Sequence, residues 1–471
     1  MSVIDQAGSR CREVVGAREG IDRGHAGAAI EVGRNVERAR VAGALGHAST
    51  GEIDDWDAAA VHGASTSGAC LAPRERGKLK SVCREDIRQQ PPPLDDYRDT
   101  PVTRGVHSDR QMPIDQRVRF PERSAFHDDL NRRVDGYFER EGRSRHGGWR
   151  MAAKSAVLLA WLLGSWCLLM FAPVHAWEAV LLSVSVGLAM AGIGFSVMHD
   201  ANHGGTSSSG RLNGAMSFTL DLMGASSFLW RLKHNVQHHT YPNISGLDPD
   251  IEAGSPFLRL APWQPRRWHH RFQPLYVWLL YGVFPLQWWF FHDPGELVTG
   301  RIGGKQFPPP RGRALFAALA GKAFFLSWAF VLPALLHPSW ALFGLWAIAI
   351  FTLGNVLAAV FQLAHCVGEA DFVVSGRVET DWAEHQIATT VDFARSNALL
   401  GWYLGGLNFQ VEHHLFPRVC HLHYPALAAI VEETCRAHGV RYRCEPTLRS
   451  ALAANFAWLH RMGLPLRLEV S

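Results

Sequence analysis

The chain has 471 residues, of which 47% are apolar, 11% aromatic and only 19% charged. A net charge of +4 is small for this length and argues for no nucleic-acid partner. Eight scattered cysteines without a CxxC pair exclude a small disulfide-stapled fold and fit a reduced, intracellular setting.

Residues 1–115 contain two aromatics, Trp56 and Tyr97, and no sustained apolar period. A segment of this kind buries too little surface to offset its ordering entropy. It reads as a disordered tail, or as a start assigned too far upstream, with Met112 as the alternative start. Gln89-Gln90-Pro91-Pro92-Pro93 reads as an extended linker. No apolar run follows Met1, so no secretory signal is expected. Residues 116–471 form the second unit, and the spacing predicts an amphipathic helix over Ser124–Glu141 at its start.

Four stretches are apolar for about the 20 residues a helix needs to cross a bilayer. They are 155–174, 179–198, 314–336 (carrying only Lys322) and 339–364 (with Asn355 and Gln362 as polar members). The links at 173–178 and 337–338 hold no Lys or Arg. The facing segments hold Arg150, Lys154, Arg211, Arg231, Lys233, Arg266, Arg267, Arg271, Arg301, Lys305, Arg311 and Arg313. The positive-inside rule places those segments, and both termini, in the cytoplasm. A fifth apolar stretch, 274–291, is broken by Pro285 and carries Trp288-Trp289. It reads, like 214–230, as lying in or dipping into the interface.

Histidine, at 24 residues, is clustered. The second span ends in His199-Asp200-Ala201-Asn202-His203. His234-Asn235-Val236-Gln237-His238-His239 follows it, and Gln410-Val411-Glu412-His413-His414 follows the fourth span. Residues i and i+4 share a helix face, so His199 with His203, and His234 with His238, are each placed to grip one metal. Neighbours on a helix diverge by about 100°, so His238 and His239, or His413 and His414, can serve two adjacent metals. His365 ends the fourth span level with His199, where an ionisable group is costly and points to function. With Gln410 as an oxygen donor the set reaches eight or nine ligands, which suits two metals. Imidazole suits iron, zinc, copper or nickel. The expected fold is all-α and integral to the membrane. It has four transmembrane helices in two hairpins, interfacial helices, and a cytoplasmic helical cap carrying a di-metal histidine site.

The order HDANH, HNVQHHTYPN and QVEHHLFP resembles the membrane fatty acid desaturases. Gln410 and the longer second motif are similar to the front-end (delta-6-like, linoleoyl-CoA type) branch. Leu247-Asp248-Pro249-Asp250-Ile251, Trp382-Ala383-Glu384-His385-Gln386 and Thr389-Thr390 extend the resemblance, which runs from about Arg117 to Leu459. It implies an oxygen-dependent desaturase acting on an acyl-CoA or acyl-lipid chain. Two non-haem iron ions would be held by His199, His203, His234, His238, His239, His413 and His414, with His365 and Gln410 completing the ligands. Dioxygen would be the co-substrate. The chain lacks the His-Pro-Gly-Gly motif of a fused cytochrome b5 domain. The implied electron donor is therefore a separate partner, such as ferredoxin or cytochrome b5 with its reductase. Asp200, Asn202, Glu412, Asp248 and Asp250 are candidates to orient imidazoles. Arg231, Lys233, Arg266 and Arg267 are candidates to anchor a phosphate or headgroup. A di-iron lipid or hydrocarbon hydroxylase would use the same motifs. A metal transporter would instead place ionisable groups in mid-span.

Overall fold

The computed structural model describes residues 118–374 and 378–465. The tail expected over 1–115, with its proline linker and Met112, lies outside the described residues. The amphipathic helix is Ala125–Glu141: the Ser124 hydroxyl accepts from His127 N at 3.3 Å, and Gly142 at φ 58° ends it. Phe126, Leu130, Val134 and Phe138 are its buried face and pack with Leu427, Val431 and Cys435 of the helix Tyr424–His438.

Four helices are long and apolar enough to cross a membrane: Gly148–Phe171, Ala176–Asn202, Gly312–Leu336 and Ala341–His365. They are the four expected spans, with different ends. The first starts before the uncharged run, because nothing in the backbone stops a helix at a charge. Its Lys154 is buried, 2.7 Å from His421 Nε2. The second starts inside the expected link, because the Glu178 carboxylate accepts the His175 N–H at 2.6 Å and closes the first turn.

The second span packs against both the first and the fourth. Gly187 lets the Ala349 carbonyl of the fourth span come close, and a side chain there would strike backbone. Gly354 does the same for the helix Gln273–Gln287. Pro285 cannot bond back to the Tyr281 carbonyl, and that carbonyl lies against Gly354. Small residues at crossings are how helices associate where apolar burial gives no advantage over lipid. The segment expected at the interface therefore reaches the middle of the fourth span, where Gly282 meets the Phe351 ring. The third and fourth spans, joined through His337 and Pro338, touch at Phe330 and Trp346, whose ring centroids are 3.7 Å apart. Lys322 of the third span donates to the Gly224 carbonyl and, at 2.8 Å, to that of Trp289.

Beyond the fourth span come the helices Trp382–Thr389, Ala398–Tyr403, Gln410–Leu415, Tyr424–His438 and Leu448–Gly463. Strand content is slight. Arg301–Ile302 pairs antiparallel with Lys305–Gln306, and Asp392–Phe393 pairs parallel with Cys444–Glu445. The Leu448–Gly463 helix packs on the fourth span and on Gln273–Gln287.

Candidate metal centre

The first motif follows directly on a π-helical turn, Gly194–Met198, inside the second span. The rings of His199 and His203 are 4.8 Å apart. The second motif lies on a π-helix, Arg231–His238, rather than the α-helix its spacing suggested. His239 N bonds to His234 O, five residues back, at 2.9 Å. The wider turn brings i+4 and i+5 together toward i. His238 is 5.2 Å and His239 4.7 Å from His234, ring to ring. The third motif forms the short helix Gln410–Leu415, whose Val411 N–H is held by Asp392 Oδ1 at 2.9 Å. His365 closes the fourth span.

These elements bring all eight histidines together, in two groups. Single nitrogens of His199, His203, His234 and His413 lie within 4.8 Å of one another, and so do those of His238, His365 and His414. His239, His413 and His414 form a third such set that joins the two. His234 and His238, expected to share one metal, lie together in a further set with Asp250, ligand atoms within 4.8 Å of one another, while each also joins a different histidine group. His413 and His414 separate as expected. The Gln410 amide nitrogen is 3.2 Å from His365 Nε2.

Second contacts set the ring orientations. His238 Nδ1 lies 3.1 Å from both Asp248 oxygens, His414 Nδ1 donates to Gln386 Oε1 at 2.9 Å, and His413 Nδ1 is 3.3 Å from the Tyr424 hydroxyl. Each contact leaves Nε2 free to face inward. Trp230 stacks on His234 at 4.2 Å.

Burial, and then the neighbouring imidazoles, hold His203, His239, His413 and His414 well below the ordinary histidine range. Burial lowers His234 to about 4. For His238 burial opposes charging, but the Asp248 carboxylate outweighs it and raises the group. Neutral imidazole is the ligating form.

The residues fit a pair of metal ions. The Nε2 atoms of His203, His238, His413 and His414, Nδ1 of His239 and His365, and Oε1 of Gln410 are buried without a hydrogen-bond partner. Each such orphan costs about 1–3 kcal/mol. A cluster of them is stable only if something they ligate satisfies them.

A fatty acid desaturase model matches residues 175–446, which span all three motifs and His365. This chain belongs to the fatty acid desaturase family. It is 38% identical over 352 residues to the sn-1 linoleoyl-lipid 6-desaturase of Arthrospira platensis, covering 74% of this chain and 95% of that one. The enzyme of the same name from Synechocystis sp. is 37% identical, with 74% and 98% covered. An acyl-lipid (8-3)-desaturase of Physcomitrium patens is 36% identical, with 71% of each chain covered. The desaturase is thus an oxidoreductase that introduces a double bond into a fatty acyl chain, and with four apolar spanning helices it is a membrane protein.

Other polar residues of the desaturase fall differently from expectation. Asp200 turns from the box imidazoles to His421, 2.8 Å from its Nδ1. Asn202 accepts from Arg231 at 3.0 Å, tying the first motif to the second. Glu412 meets Tyr442 at 3.0 Å. Asp248 does orient an imidazole, as considered, and Asp250 pairs with Lys233 at 2.8 Å while its Oδ2 lies 3.9 Å from Nδ1 of both His234 and His238. Arg266 donates to the Gly463 carbonyl. Asn243 is buried, its amide donating to the carbonyls of His365, Asp371 and Thr389. Gln386 and Tyr424 were missed as orienting residues. The only sign of Gln386 was its place in the Trp382–Gln386 run, and nothing marked Tyr424.

Proposed function

We propose that the desaturase acts on acyl chains esterified in membrane glycerolipids and inserts the double bond toward the carboxyl end. The observation that carries this is the two buried histidine groups with orphaned nitrogens, in a chain that covers 95% of a relative named as an sn-1 linoleoyl-lipid 6-desaturase. Of the cationic candidates, Lys233 and Arg231 are engaged by internal partners, whereas Arg266 and Arg267 are exposed.

The reaction removes one hydrogen from each of two adjacent methylenes. Dioxygen takes these, two electrons and two protons, and leaves as two waters. Two iron ions, when bound, would activate dioxygen for an unactivated C–H bond that no acid–base group could attack. His199, His203, His234 and His413 would hold one, and His238, His365 and His414 the other. His239 lies between, and Gln410 completes the second set. The chain's own residues aim the imidazoles, through Asp248, Gln386 and Tyr424. The surrounding apolar residues exclude water and align the acyl chain. The electrons come from a separate donor, ferredoxin or cytochrome b5 with its reductase. The absence of Lys and Arg from the two short links supports a topology with both termini and all three motifs cytoplasmic, the spans paired as two hairpins beneath the helical cap.

The test is expression of the full chain with a reductase system in a host without this activity. Fatty acid methyl esters are then analysed separately from glycerolipid and acyl-CoA pools. A new double bond appearing first in glycerolipid supports the reading. A bond appearing first in acyl-CoA overturns the substrate class, and a hydroxylated product overturns the reaction.

A further inference from the structure

We infer that Arg211 and Arg418, on either side of the loop that follows His203, form the docking face for the electron donor, a small one-electron carrier protein of net negative charge. Its electrons enter the metal centre on the His203 side. This rests on the desaturase reading above.

The two histidine groups lie at different depths. His203 is 7% exposed and the His234 side chain 12%, whereas His238, His365 and His414 are at 0%. A carrier protein cannot enter the site, so its electrons cross whatever separates the ligands from the surface. That separation is smallest on the side of the first group.

The loop over this side is thin. Gly204, at φ 80°, turns the chain immediately after His203, a conformation in which other residues are strained. Gly205 then lies against the segment 418–420, where an added Cβ would come 3.3–3.4 Å from backbone atoms of Arg418, Val419 and Cys420. Asn213 fastens the other end of the loop. It donates to the carbonyls of Gly204 and Ser207 and accepts the Ser207 N–H at 2.9 Å. Ser208 and Ser209 are left exposed between.

Both arginines that flank this loop are exposed, Arg418 beside Gly205 and Arg211 two residues before Asn213. The Arg418 guanidinium is close enough for its charge to act on His203. Among the described residues, none forms an ion pair with either arginine. Residues 201–247 carry a single carboxylate, Asp221, which is buried, and residues 413–431 carry none. The face is therefore positive without compensation. Elsewhere on the cap the cations are neutralised: Arg133 pairs with Glu433 at 3.2 Å, Arg395 with Glu432 at 2.9 Å and Arg443 with Asp371 at 3.2 Å.

A cationic face over the shallowest ligands draws in a negatively charged partner and speeds its encounter. Its small extent suits electron transfer, whose complexes bury less area than stable ones. Arg418 belongs to the cap, in the segment after the third motif, and not to a helix at the interface. That favours a protein over a lipid headgroup. Each turnover oxidises two carrier molecules by one electron each. Those two electrons, two protons from water and the two hydrogens removed from the acyl chain reduce one dioxygen to two waters.

The test uses the full-length enzyme in phosphatidylcholine vesicles, with and without an anionic lipid. Initial desaturation rates are measured against the concentration of a reduced ferredoxin or a reduced soluble cytochrome b5, each of net negative charge, at low and physiological ionic strength. In a third arm a small uncharged mediator supplies the electrons. Arg211→Glu combined with Arg418→Glu is expected to raise the KM for the carrier by about tenfold or more at low ionic strength. The salt dependence should flatten, kcat at saturating carrier should hold, and the loss should be confined to the carrier arms. Ser208→Lys and Ser208→Glu, at an exposed loop position, should lower and raise that KM respectively. Arg449→Glu, an exposed cation on the Leu448–Gly463 helix, makes the same charge change elsewhere and should leave it unaltered. An effect with only one of the two carriers identifies that carrier as the donor. A wild-type KM in the double variant, or an equal loss with the mediator, would overturn the inference. So would an effect seen only in vesicles containing anionic lipid, which would give the face to a headgroup. A wild-type enzyme that makes no double bond with either carrier or with the mediator would instead overturn the function.

Discussion

Asp248 lies beside His238 with both carboxylate oxygens 3.1 Å from Nδ1. The same carboxylate accepts the N–H of Asn243 at 2.9 Å and of Asp250 at 3.0 Å. One side chain therefore folds the loop after the second motif and holds a ring whose Nε2 faces the second histidine group. Loss of such an outer partner costs about 10–100-fold in metal affinity or activity. Asp248→Asn should lower iron retention and desaturation within that range while the chain still inserts in membranes. Metal analysis of the purified protein beside its product profile checks this. Full iron content in Asp248→Ala would show that the contact does not support the metal.

His239 lies between the groups, and His414 belongs to the second and to the set that joins them. His239→Ala and His414→Ala should abolish the new double bond without changing membrane insertion. Full activity in either variant would remove that residue from the ligand set. Chelation of the wild type should abolish activity in the same way, and added ferrous iron should restore it.

Gln386 accepts from His414 Nδ1 at 2.9 Å. Gln386→Leu keeps the approximate volume but frees the ring nitrogen. A loss of activity of about 10–100-fold is expected, with Gln386→Glu, which still accepts, retaining more. Equal activity of the two variants would argue that the contact is only packing.

Gly354 admits the Tyr281 carbonyl between two helices. Gly354→Val places a branched side chain against backbone, and overpacking of this kind costs about 1–3 kcal/mol or more. The variant should melt at lower temperature in detergent. An unchanged melting temperature would mean that the Gln273–Gln287 helix is not seated on the fourth span.

Asp381 ties the segment after the fourth span to the start of the described chain. It accepts from Ser124 N and Oγ, both at 2.9 Å, and lies 3.2 Å from His127 Nδ1. Burial alone would raise its carboxyl, but these bonds outweigh it and hold it below the ordinary range. A carboxyl depressed on folding stabilises above its unfolded value, near 3.9, and loses that contribution as pH falls further. Acidification below about pH 4 should therefore loosen the Ala125–Glu141 helix in the wild type. Asp381→Asn should lack that acid step. Limited proteolysis across residues 118–147 as a function of pH reads both.

The four spans and the three histidine motifs were legible in the sequence because both are local. An apolar run of sufficient length, or histidines at fixed spacing, needs no knowledge of the fold. Span ends were less legible, since His175 with Glu178 builds a cap from residues that read as a loop. The π-helical form of the second motif was hidden because α and π turns share one spacing in sequence. Their hydrogen bonds differ only once neighbouring helices constrain the turn.

What the sequence by itself determined is the membrane-protein class, the family and the identity of the eight clustered histidines. Side-chain chemistry and local periodicity suffice for those. Only the tertiary structure decided which histidines meet. It also decided that Asp248, Gln386 and Tyr424 orient them and that Asp200 serves His421 instead. These contacts join residues far apart in the chain, and close packing through Gly187 and Gly354, rather than any local spacing, brings them together.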